Sequence, residues 1–264
     1  MNKNKKTKKK KRPIIIILDI LIIACLLGAA YFFLEPKVRS HKQTKVEQSA
    51  VNEVEKLFDT EDEELSEISI AVNPNANKVP GEGYEDFGQG ENLKIEDPIL
   101  DEHGNVIINF IGSLKIPKID LVTPIADDDS LVALRYGAGH TPESAFFGEN
   151  GRAIIFGHWF DEYGRVFNRL GEMKVGDDFT ISITKNRTRY HYYVHKMIEI
   201  KDYELYDYLF VDEPEVDSEV VLVSCKVENR MWWSTSDRYI VYGELIETEY
   251  IAPRNIDLDQ NKTE

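Results

Sequence analysis

Three residues in the C-terminal half of the chain have side chains suited to acyl transfer. Cys225 ends the apolar run Val-Val-Leu-Val-Ser at 220–224, His158 follows Ala-Ile-Ile-Phe-Gly at 153–157, and Arg238 opens Tyr-Ile-Val-Tyr at 239–242. A thiolate is a nucleophile, an imidazole takes and returns a proton near neutral pH, and a guanidinium can meet the charge that develops on a carbonyl oxygen. All three stand at the ends of expected strands, where a sheet can hold them rigidly. Spacing alone leaves alternatives open. Cys225 can be a buried core thiol; His140, His191 and His195 compete as the base; Arg230 competes with Arg238. His191 and His195 share one face of an alternating strand and read as surface or packing residues. Arg230 falls in the loop stretch 226–237, whereas the backbone of Arg238 should be fixed by ladder hydrogen bonds.

Only two cysteines occur, and Cys25 lies in an apolar N-terminal run far from Cys225, so no intramolecular disulfide is expected. A free thiol outside the membrane favours chemical use or deep burial. Neither Cys-x-x-Cys nor His-Glu-x-x-His spacing is present, nor a glycine-rich phosphate loop, so the reading requires no metal or cofactor. The acidic clusters Asp127, Asp128, Asp129 and Asp212, Glu213, Glu215 could assist Ca²⁺ binding, but no regular calcium-loop spacing occurs and solvated loop charge is the plainer account. Trp232 and Trp233 form an aromatic pair that reads either as a substrate lid or as an apolar patch on a loop. With Ser224 they are the candidate substrate-binding residues.

Residues 1–34 hold eight basic side chains against Asp19, a local +7 that leaves −22 for the rest of a chain with net charge −15. So acidic a body would repel phosphate, which argues against nucleic-acid binding. The apolar run at 14–34 has the length of a transmembrane helix. Its basic flank would stay in the cytoplasm and leave the body outside. The expected order is a cytoplasmic tail at 1–13, the membrane helix at 14–34, an acidic stalk at 35–92, a catalytic domain at 93–250 and a polar tail at 251–264. Apolar residues Val46, Val51, Val54, Leu57 and Phe58 suggest a short amphipathic helix in the stalk, the rest of which reads as a mobile linker. After residue 93, short apolar or alternating runs separated by turn formers predict a mostly antiparallel β-barrel or sandwich. The best brief helical pattern is at 166–170. A fully disordered chain is excluded, since hydrophobic residues make up 42%.

Read in order, Ile-Pro-Lys-Ile-Asp-Leu at 116–121 with Pro124-Ile125, Gly-Ala-Gly-His at 137–140, Gly157-His158, Phe-Asn-Arg-Leu at 167–170, Lys-Val-Gly-Asp at 174–177, and Leu-Val-Ser-Cys at 222–225 with Arg238 resemble the landmarks of the sortase family. The likeness covers roughly 111–246. It implies a closed eight-stranded β-barrel that cleaves a C-terminal sorting motif of the Leu-Pro-x-Thr-Gly type on secreted proteins and passes the acyl group to an amine of a cell-wall precursor or pilin. It further implies Cys225 as nucleophile, His158 as general acid/base and Arg238 as the oxyanion and substrate-positioning residue. Two features depart from the usual pattern: Ser224 stands where Thr commonly precedes the Cys, and 226–237 is a long insert. The alternatives are an L,D-transpeptidase, whose Cys follows glycine in a run that Ser224-Cys225 matches less well, and a non-catalytic surface binding module.

Overall fold

The computed structural model describes residues 13–58, 68–76, 100–159, 165–226 and 237–252. The chain divides into two units, residues 1–42 and 43–264. Helix α1 runs from Pro13 to Phe58; Pro13 sits at its start, where a missing N–H costs no intrahelical bond. The expected membrane span and the expected stalk helix both fall within α1. Among the described residues, no helix is long and apolar enough to cross a membrane, so the separate span expected at 14–34 is not borne out. The side chains of Leu18, Ile22, Leu26 and Leu34 are exposed.

Nine strands among the described residues form one sheet. They are β1 (Ile68–Val72), β2 (Val106–Ile116), β3 (Leu121–Ala126), β4 (Ala138–His140), β5 (Gly151–Gly157), β6 (Asp178–Ile183), β7 (Thr188–Lys201), β8 (Ser218–Lys226) and β9 (Asp237–Tyr250). Their order is β1-β2-β3-β4-β5-β8-β9-β7-β6, and an additional β2–β6 pairing closes the sheet into a ring with β1 appended to β2. The β3–β4 and β5–β8 pairs are parallel, and the others antiparallel. The mostly β architecture expected from the sequence is thus the one adopted.

Every strand of the ring contributes to the main core. Leu114, Ile125, Ala138, Ile155, Ile181, Tyr192, Leu222 and Val241 are among its members. A second cluster occupies the opposite face of β5, β8 and β9, where Ile154, Phe156, Val221, Val223, Ile240 and Tyr242 pack under Leu205 and Leu209. Leu209 belongs to the π-helical turn Asp207–Val211. Because β5 and β8 are buried on both faces, they read in the sequence as continuous apolar runs.

The stretch expected as stalk is partly built into the body. Ala50 and Val72 join Ile108 and Phe110 in a third cluster, and β1 pairs with β2 from Ile68↔Phe110 to Val72↔Val106. Residues 59–67 and 77–99 lie outside the described residues, as do 1–12 and most of the C-terminal tail. The helical pattern at 166–170 becomes a turn followed by the short 3-10 helix Leu170–Glu172.

Candidate active site

Strand register sets two of the candidate residues side by side. Cys225 lies directly opposite Arg238 in the antiparallel β8–β9 pair, which puts two Cβ atoms about 4.5–5.5 Å apart on one face. In the parallel β5–β8 pair Phe156 is level with Val223. His158 directly follows Gly157, the last residue of β5, and Cys225 stands two residues beyond Val223 on β8. His158, Cys225 and Arg238 are 1%, 3% and 1% exposed, so all three lie away from bulk water.

The period of two along each strand sorts the neighbours. On the face of the second cluster the rungs are Arg152/Glu219/Glu244, Ile154/Val221/Tyr242, Phe156/Val223/Ile240 and, at the end, Cys225/Arg238. Ser224 belongs to the opposite face. Its buried hydroxyl donates to the Phe167 carbonyl at 3.3 Å, so it is turned away from the thiol side and holds the segment behind it. Gly157 shares that side, and a Cβ there would lie 2.3 Å from the Phe167 ring. Only glycine lets this ring close over the end of β5.

Other histidines stand elsewhere. His140 pairs in register with Ile155 on the main-core side, its Nε2 3.0 Å from the Ala145 carbonyl and its ring against Phe147. The Nε2 of His191 lies 3.4 Å from Glu249 near the surface. His195 occupies the bulge in β7 between Val194 and Lys196, and bulges re-aim side chains; its Nε2 is 3.2 Å from the buried Glu219 carboxylate. Arg230, Trp232 and Trp233 lie outside the described residues.

Sequence reasoning passed over the far end of the same face. Arg152 Nε donates to Glu219 at 2.5 Å, and Arg152 also donates to the Tyr208, Leu209, Asp212 and Glu213 carbonyls. The one available signal was parity, since Arg152 and Glu219 open the same alternating faces that His158 and Cys225 close. Tyr242 packs beneath the Arg152 guanidinium at 5.6 Å, and burial raises the pKa of its hydroxyl.

Among the described residues, no group of three or more His, Cys, Asp or Glu stands where it could hold a metal ion. Asp128 accepts the Ser130 N–H at 2.9 Å. Asp129 accepts from the Thr141 hydroxyl at 2.7 Å, and burial raises its carboxyl pKa. Glu215 pairs with Lys196, which holds its carboxyl below the ordinary value.

The family model for the sortase domain matches residues 114–246. Sortase D of Bacillus subtilis (strain 168) is 27% identical over 135 residues, 51% of this chain and 63% of that protein; the chain therefore spans less than two thirds of this relative's length. Among solved structures, Streptococcus agalactiae sortase C1 in complex with MTSET is similar at 26% identity and TM-score 0.45, covering 52% of this chain and 69% of that one. A Clostridium perfringens sortase D5 transpeptidase is similar at 23% identity and TM-score 0.48, covering 77% and 99%.

Proposed function

Because the chain belongs to the sortase family, we propose that it is a cell-surface cysteine transpeptidase that cleaves a sorting motif of the Leu-Pro-x-Thr-Gly type and transfers the acyl group to an amine. In this reading the Cys225 thiolate attacks the Thr carbonyl carbon, and the carbonyl electron pair moves to oxygen. The Arg238 guanidinium stabilises that oxyanion. As the tetrahedral intermediate collapses, protonated His158 gives its proton to the departing Gly nitrogen, leaving a thioester on Cys225. An incoming amine then attacks the thioester while neutral His158 takes its proton, and the new amide leaves with the thiolate restored.

The observation that carries the reading is Cys225 opposite Arg238 in register, with His158 following the last residue of β5, the parallel neighbour of β8. A nucleophile, a base and a cation in adjacent places on rigid strands are what thioacyl chemistry needs. The acceptors proposed are a cell-wall precursor or a pilin, and the donors are secreted proteins bearing the motif. Membrane attachment is part of the same proposal and rests on the sequence, through the basic residues 3–12 and the apolar run 14–34.

Mass spectrometry of the products formed from a library of motif peptides with candidate amines tests it. Cleavage between Thr and Gly, with the amine joined to Thr, is the expected result. Peptides returned intact with every amine would rule the proposal out.

A further inference from the structure

The segment that follows His158 returns to it. Trp159 bridges Val166 as an isolated antiparallel pair, and the Phe167 N–H donates to the His158 carbonyl at 3.2 Å. The Phe167 ring closes over Gly157, and its carbonyl accepts from Ser224, the neighbour of Cys225. Residues 165–167 thus form a strap that touches the chain beside both His158 and Cys225. Val166 within it has φ 39°, a left-handed backbone that a β-branched side chain disfavours and that persists only where the surroundings impose it.

The residue before it is tied to helix α1. Arg165 is 6% exposed; its Nη1 donates to Gln43 Oε1 at 3.2 Å, and its Nη2 lies 3.5 Å from Glu47 Oε2. The other Glu47 oxygen accepts from the Thr123 hydroxyl at 3.1 Å. Gln43, Glu47 and Thr123 are all buried. A buried ion pair contributes little net stability, because desolvation offsets the attraction, but removing one partner leaves an uncompensated charge. Such a pair is better suited to fixing the relative position of two elements than to holding them together.

We infer that Arg165, anchored by Glu47 and Gln43 of helix α1, is a positioning residue that sets the place of His158 through the strap 165–167. Helix α1 is then part of the catalytic architecture as well as a leader to it. The inference deepens the proposed function and rests on His158 being the acid/base. A displacement on the order of 1 Å at a reacting group can cost about 10²-fold in rate.

The test uses the full chain in detergent with ring-labelled histidines, the His158 signal being assigned by His158→Gln. Glu47→Gln and Arg165→Lys should shift the His158 ring resonance, while those of the exposed His103 and the half-buried His191 stay in place. In peptide transfer, kcat should fall by about 10²-fold with KM changed less than about threefold. The charge swap Glu47→Arg with Arg165→Glu should restore at least about tenfold of that loss. Gln43→Ala, which removes one hydrogen bond and leaves the ion pair, serves if the other variants do not fold; it should move His158 in the same direction by less. An unmoved His158 signal in a folded variant overturns the inference. Should the wild-type chain transfer no peptide, the proposed function fails while the His158 signal still decides the role of Arg165.

Discussion

The two faces of the β5–β8–β9 sheet come from the same three strands and do different work. On the main-core face the rungs read Ala153/Val220/Gly243 and Ile155/Leu222/Val241, with the pair Ser224/Tyr239 after them, apolar until the last. On the other face two apolar rungs are bracketed by polar ones, with Arg152 and Glu219 at one end and Cys225 and Arg238 at the other. The first face is a core element whose job is packing. The second is a short apolar bar that separates an anchored charge cluster from the proposed catalytic one. Buried polar groups are tolerated where their partners are fixed, and at the far end Arg152 fixes Glu219 together with four backbone carbonyls of the covering segment.

If the two ends of that face differ as argued, variants should separate activity from stability. The largest effect is expected at Arg238. Arg238→Ala should lower kcat/KM by about 10²–10³-fold, or roughly 3–4 kcal/mol, with Arg238→Lys restoring only part because the planar fork is lost. Arg230→Ala should cost less than about tenfold, and steady-state kinetics showing the reverse ranking would move the oxyanion role into the 226–237 stretch. At the opposite end Glu219→Gln should leave a buried guanidinium undercompensated and cost about 3 kcal/mol of stability by denaturant unfolding. Its kcat per folded molecule should be unchanged, and a selective loss of kcat would erase the distinction between the ends.

His158→Ala should reduce turnover by at least about 10²-fold and remove one limb of a bell-shaped pH profile. His191→Ala should leave the profile intact, and if it is crippled as severely as His158→Ala the base is misassigned. The smallest effect belongs to the boundary between the faces. Gly157→Ala adds a methyl into the Phe167 ring, and such overpacking costs typically about 1–3 kcal/mol. A melting temperature equal to wild type would show that the strap is looser than its contacts suggest.

Much of this was legible in the sequence, for a physical reason. Strands buried on both faces leave continuous apolar runs, so the ends of β5, β8 and β9 and the residues capping them stood out before any register was known. Spacing alone did not place His158 beside Cys225. What the sequence did not carry were contacts between distant segments. Arg165 and Gln43 are 122 positions apart, and nothing local to Arg165 marks it as buried. Strand β1 was hidden in a polar stretch because it pairs with β2 along only five residues. The expected stalk boundary at residue 92 failed to register it for the same reason. His195 does pack, against Tyr242, but its approach to Glu219 was not legible, because the bulge there breaks the period.

The central claim is that Cys225 becomes acylated. Intact-protein and peptide mass spectrometry of the full chain, quenched in acid during turnover of a sorting-motif peptide, measures this directly. The account predicts a hydroxylamine-labile thioester carrying the peptide up to its Thr on Cys225, absent from a folded Cys225→Ala variant that neither cleaves nor transfers. Continued turnover by Cys225→Ala, or an acyl group found on another residue, would contradict it.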